Sequence, residues 1–122
     1  MMSSQLDPEA PWAQRLAHVD RALAEKSMTR AFCEWHEAHA EAFRSGRWEA
    51  LAAVGDAAMR IDAVAGAAVG FRADARRVYL AALVRARAAQ SAAGAQRIAD
   101  AFVRLGDAHL ADYARRLASK LW

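Results

Sequence analysis

The side chains best suited to chemistry lie in one run, FCEWHEAHAE at positions 32–41, which holds one cysteine, two histidines and three glutamates. Thiolate, imidazole and carboxylate are the groups that ligate zinc or haem iron and that carry protons near neutral pH. A zinc site needs three or four such ligands converging on one point. Winding the run onto a helix at roughly 100° per residue puts His36 and His39 on the side of Phe32, Trp35 and Phe43. Glu34, Glu37 and Glu41 fall opposite, and Cys33 points away from His39. The string CxxHxxH is therefore no converging set, and further ligands would have to come from other helices, with His18 and His109 the histidines at hand. Neither HExxH nor the ExxH of a metal-binding bundle occurs.

These residues are expected to be packed imidazoles hydrogen-bonded to their neighbours, a solvated glutamate face, and a small buried or boundary cysteine. No cofactor is expected; His36 and His39 are the candidates should a metal or haem be held. Other catalytic patterns are missing: no GxSxG, no phosphate loop, no dinucleotide fingerprint. The chain reads as a non-enzyme.

Charge is the next candidate for function. Residues 1–69 carry 7 basic and 10 acidic side chains, and residues 70–122 carry 10 and 4. Such asymmetry suits an acidic partner, or two halves that attract each other. Arg72, Arg76 and Arg87 share one side of a helix, flanked by Arg77 and Arg85. This basic face could contact phosphates, but no helix-turn-helix signature accompanies it. Trp122 is costly to expose and is expected to dock on its own domain or serve in self-association.

The elements that must position these groups are all helical. The chain has 122 residues, 56% of them apolar, many of these alanine. Alanine is the best helix former and buries little area; β-branched strand signals are absent. A cap at Asp7 with Pro8 and Glu9 predicts the first helix, carrying the stripe Trp12, Leu16, Val19 and Leu23. Ser27 is the expected cap of a second helix ending at Ser45 before Gly46. A third covers about 47–62, and AGAAVG at 65–70 reads as loop. A fourth runs over about 71–90, its apolar residues spread around much of its circumference. Ser91 and Asp107 cap a fifth and a sixth.

One domain, 1–122, is expected, with 1–6 disordered. A single cysteine, no leader-like N-terminus and no long apolar run point to a cytoplasmic protein.

Two segments share the shape helix, glycine turn, helix: 32–62 and 92–122. In the first, Trp35, Gly46, Trp48 and Ala58 occupy the large, turn, aromatic and small positions of the tetratricopeptide repeat, which the chain resembles. His39, Ala42 and Gly55 depart from that pattern. In the second, Ala99, Phe102, Gly106, Ala111 and Ala118 match and Arg115 departs. The resemblance implies an all-α stack of about six antiparallel helices, with an α-helical bundle as the alternative. It also implies a protein–protein interaction module that binds a peptide or helix across its concave side. Trp48, Arg76, Tyr79 and Arg87 are the residues expected in that groove, with Trp122 as an anchor for a partner or a second copy. Two other readings stand beside this one: a metal- or haem-binding bundle on His36 and His39, and a nucleic-acid-binding regulator using the fourth helix. Neither nucleic acid nor a membrane is the expected partner.

Overall fold

More than half of the buried apolar residues are alanines, and this decides how the helices meet: short side chains let backbones approach closely. A computed structural model describes residues 10–66 and 70–122. Six helices run through them: α1 Pro11–Ala24, α2 Met28–Ser45, α3 Trp48–Ala65, α4 Phe71–Ala88, α5 Ala92–Leu105 and α6 Ala108–Leu121. No strand occurs among the described residues.

The helices pack most extensively as three hairpins, α1 with α2, α3 with α4 and α5 with α6, stacked in chain order. Within the stack α3 also touches α1 and α5, whereas α2, α4 and α6 stand farther apart. The molecule is therefore two layers, closer on the α1–α3–α5 side and splayed on the other. The resembling segments 32–62 and 92–122 fall in different phases of this stack. The second is the α5/α6 hairpin; the first joins the second helix of one hairpin to the first helix of the next. That phase difference is why they begin at 32 and 92, an offset that is no multiple of the repeat's roughly 34 residues.

One core cluster draws on all six helices. The helix buried on most sides is α3, through Ala50, Leu51, Val54, Gly55, Ala57, Ala58 and Ile61. The fourth helix, whose apolar residues spread around much of its circumference, is packed against α3 and α5 and touches α2 through Phe71 and Arg85, while its Val84 is exposed. Trp35 is the largest fully buried side chain, and its indole N–H donates to the Val54 carbonyl at 2.9 Å. Two glycines inside helices mark close approaches. A Cβ at Gly55 would lie 2.5 Å from the Tyr79 ring, and one at Gly94 would lie 2.8 Å from the Trp48 indole.

The helix starts agree with the sequence at Ser91 and Asp107, whose side chains accept from the backbone N–H of Gly94 and Leu110. Ser27 holds the N-cap position of α2, but its side chain makes no cap bond. The expected Asp7 cap with Pro8 and Glu9, the disorder of 1–6 and the middle of AGAAVG lie outside the described residues. Within them, α1 begins with Pro11 in its first turn. Gly46 and Gly106 end α2 and α5 in left-handed conformation, as expected.

Asp107 joins two hairpins as well as capping one helix, since Arg76 of α4 donates to it at 2.9 Å. That guanidinium first, and the Leu110 N–H second, hold its carboxyl below the usual carboxylate range. A carboxyl depressed on folding stabilises above its unfolded pKa of about 4 and loses that contribution as pH falls below it. Melting temperature followed from about pH 5 to about pH 2.5 should therefore fall less steeply in Asp107→Asn than in the parent chain. Parallel curves would mean that the Arg76 contact does not persist in solution.

Candidate functional site

The buried stripe of α2 is Ala31, Trp35, Ala38 and Ala42, recurring at four-, three- and four-residue steps. Phe32, His36, His39 and Phe43 lie on the flank beside it. The aromatic–histidine face of the sequence is thus not the core face; of its members only Trp35 is buried in the core, with Phe32 half-buried against it. The small residues took the core because short side chains let the neighbouring helices approach closely, which left the larger ones to line the gap toward α4.

Across that gap α4 runs in the same direction as α2. Near their N-termini Phe71 stacks on Phe32 with ring centroids 5.2 Å apart and meets Trp35 edge-on at 5.1 Å. Near their C-termini the Arg85 guanidinium lies 4.6 Å over the Phe43 ring and donates to the Ala42 carbonyl at 3.4 Å. Between these ends is a groove of about 350 Å³ lined by Trp35, His36, His39 and Phe43 of α2 and by Asp74, Arg77, Val78 and Ala81 of α4. The α4 residues form a stripe with Arg85 at helical spacing. Its chemistry is mixed, so a search for large hydrophobic residues passes over it.

Floor and walls differ in character. Trp35 and Val78 are buried, while Phe43 is 58% exposed and Val84, one residue before Arg85, is 67% exposed. His36 meets the Trp35 ring edge-on at 5.1 Å and His39 lies tilted at 5.3 Å. Burial pushes the His39 imidazole below its ordinary pKa; His36 and Arg77 push the same way, and Asp74 opposes them. Arg77 pairs with Asp74 one turn away along α4.

Other expectations need correction. Cys33 is exposed and not a buried or boundary residue, because it sits on neither the core stripe nor the groove flank of α2. Glu34 does not face solvent alone: it accepts from Arg15 of α1 at 3.2 Å, with His18 at 3.6 Å. Among the described residues no group of three or more His, Cys, Asp or Glu side chains converges to hold a metal ion.

The residues expected to share a partner groove are dispersed. Tyr79 is buried at 1% exposure, its hydroxyl donating to Asp56, so it is a core residue and not a groove aromatic. Burial first, and that contact second, push its phenol well above the ordinary range. Asp56 also accepts from Arg97 of α5 at 2.9 Å and Arg104 at 3.3 Å, which ties the second hairpin to the third. Trp48 is half-buried between α3 and α5, with Arg97 5.9 Å from its ring. Arg76 is paired with Asp107, and Arg72 donates to the Leu105 carbonyl at 2.8 Å. Much of the basic face of α4 is therefore joined to the α5–α6 turn, around a recess of about 470 Å³. Arg87 is exposed, and Trp122 is 86% exposed, contrary to the expectation that it docks on its own domain.

No helix among the described residues is long and apolar enough to cross a membrane. Compared with protein-family models, with curated proteins and with solved structures, the chain finds no match.

Proposed function

We propose that the chain is a non-enzymatic interaction module, a stack of tetratricopeptide-like helical hairpins that binds a peptide or helix of a partner protein along the groove between α2 and α4. The observation that carries this reading is the groove itself. It pairs a buried floor of Trp35 and Val78 with the exposed ring of Phe43, and Val84 is exposed on α4 next to Arg85, the combination of anchor pocket and polar rim that recognises a helix or extended segment. This moves the binding surface from the inner α1–α3–α5 layer to the splayed outer one. The inner layer is bridged by Asp20–Arg60 and by Asp56 with Arg97 and Arg104. Ion pairs between hairpins suit it to hold the stack together, and the wider spacing of α2 and α4 leaves room for a third element.

A peptide-display selection against the intact chain tests the proposal. Selected peptides should lose at least about tenfold in affinity with Phe43→Asp or Val84→Asp, because a charge in a hot spot is left unpaired when the ligand covers it. They should bind Trp122→Ala unchanged. Peptides insensitive to both groove changes would place recognition elsewhere and overturn the reading.

A further inference from the structure

We infer that the occupant of the α2/α4 groove is an acidic amphipathic segment of a partner protein, and that the groove holds it more tightly as pH falls from about 7.5 to about 5.5. This rests on the groove being the docking surface.

The argument begins with where α2 places its charges. All three of its groove-region glutamates are on the far flank. Glu34 pairs with Arg15, Glu41 pairs with Arg44, and Glu41 and Arg44 border the cleft beside Trp12 of α1. Glu37 lies between them on the same flank by helical spacing. The groove flank of α2 carries no carboxylate at all, only His36 and His39. On α4 the one acid facing the groove is Asp74, and it is paired with Arg77. Arg85 closes the far end with a single long hydrogen bond to a carbonyl and a cation–π contact. A guanidinium has five N–H donors and no acceptor, so that end is built to receive carboxylate. Arg77 and Arg85 together outweigh Asp74 by one positive charge, over a floor that asks for aliphatic or aromatic anchors. The complement is a segment with apolar residues on one face and glutamate or aspartate beside them.

The His39 imidazole supplies the pH response. The charged groups facing His39 are His36 from its own helix and Asp74 and Arg77 from α4. In the free protein burial first, then His36 and Arg77, hold the His39 imidazole below its ordinary pKa, and a ligand carboxylate beside it pushes the other way. Binding then takes up protons, so affinity rises on acidification. Ligand carboxylates, with ordinary pKa values of about 4, stay ionised throughout this window.

The test uses two synthetic amphipathic peptides that share a leucine–phenylalanine face, one bearing glutamates and the other lysines, titrated against the full chain by fluorescence anisotropy. The acidic peptide should bind about tenfold more tightly than the basic one at pH 7.5, and about fivefold more tightly again at pH 5.5. The doubly substituted chain His36→Gln, His39→Gln should keep the first difference and lose the second. Phe43→Asp, at an exposed position that leaves the fold intact by circular dichroism, should abolish binding of the acidic peptide. Equal binding of both peptides that Phe43→Asp abolishes would leave the groove as the docking surface and overturn the acidic assignment. Binding insensitive to Phe43→Asp, or no binding, would overturn this inference; insensitivity would count against the groove as well. A pH response retained without the histidines would overturn the imidazole mechanism.

Discussion

Trp35→Ala should lower the unfolding free energy by about 3–5 kcal/mol, a large share of the roughly 5–15 kcal/mol that holds a small domain folded. The indole is 2% exposed and touches three elements: His36 and His39 along α2, Phe71 at the start of α4, and the Val54 carbonyl of α3. Its neighbours in the α2 stripe are alanines, which cannot move in to fill the space. Truncation therefore removes transfer energy, leaves a cavity and deletes a buried hydrogen bond together. In urea the midpoint should fall by about 1.5–2.5 M, at an m-value of about 2 kcal/mol/M. Trp35→Phe should recover more than half of the loss, because it keeps the ring and loses only the donor and some volume. A shift below about 0.5 M for the alanine variant would show that Trp35 is not the joint of the three helices. The same substitution removes the floor of the groove, so partner binding should weaken even under conditions where the variant remains folded.

The second large effect is at Gly55. Glycine in a helix interior ordinarily gains about 1 kcal/mol on replacement by alanine. Here the new Cβ would sit 2.5 Å from one Tyr79 ring carbon and 2.8 and 2.9 Å from two others. The ring cannot swing aside: Asp56 holds its hydroxyl and Phe102 meets it edge-on at 6.2 Å. Overpacking of this kind costs about 1–3 kcal/mol, sometimes more, so Gly55→Ala should destabilise by about 2 kcal/mol net despite the propensity gain. Gly55→Leu should prevent folding. The decisive measurement is a double-mutant cycle. In a Tyr79→Leu background the ring is gone, and Gly55→Ala should become neutral or stabilising, a coupling of about 2–3 kcal/mol. Additive effects would mean that α3 and α4 can separate at this crossing at little cost.

Gly55 also shows where reading along the chain stops. In sequence it looks like a poor helix residue and a departure from a repeat pattern. Its reason is a side chain 24 positions later in the chain, and no local rule links the two. Tyr79 fails in the same way. An aromatic beside arginines reads as a binding residue, but its hydroxyl is taken up by an aspartate on a neighbouring helix. The groove was half legible. Helical winding placed His36, His39, Phe32 and Phe43 together correctly, but nothing in the chain said whether that face met the core or the gap beside it. The α4 wall, Asp74, Arg77, Val78 and Ala81, was not seen, because mixed chemistry at helical spacing has the look of an ordinary surface.

What the sequence determined by itself is local: six helices and no strand among the described residues, the glycine stops at 46 and 106, and the caps at Ser91 and Asp107. These follow from propensity, capping and periodicity, which act within a few residues. The inward stripe of α1 was legible too, since Trp12, Leu16 and Val19 are buried; what only the tertiary structure decided is which face of α2 is inside. In a chain so rich in alanine a large residue such as Phe43 need not face the core, because close packing rewards the face that lets two backbones approach. The stripe Ala31, Trp35, Ala38, Ala42 therefore went inward, and the histidines and Phe43 were left to line the space between α2 and α4.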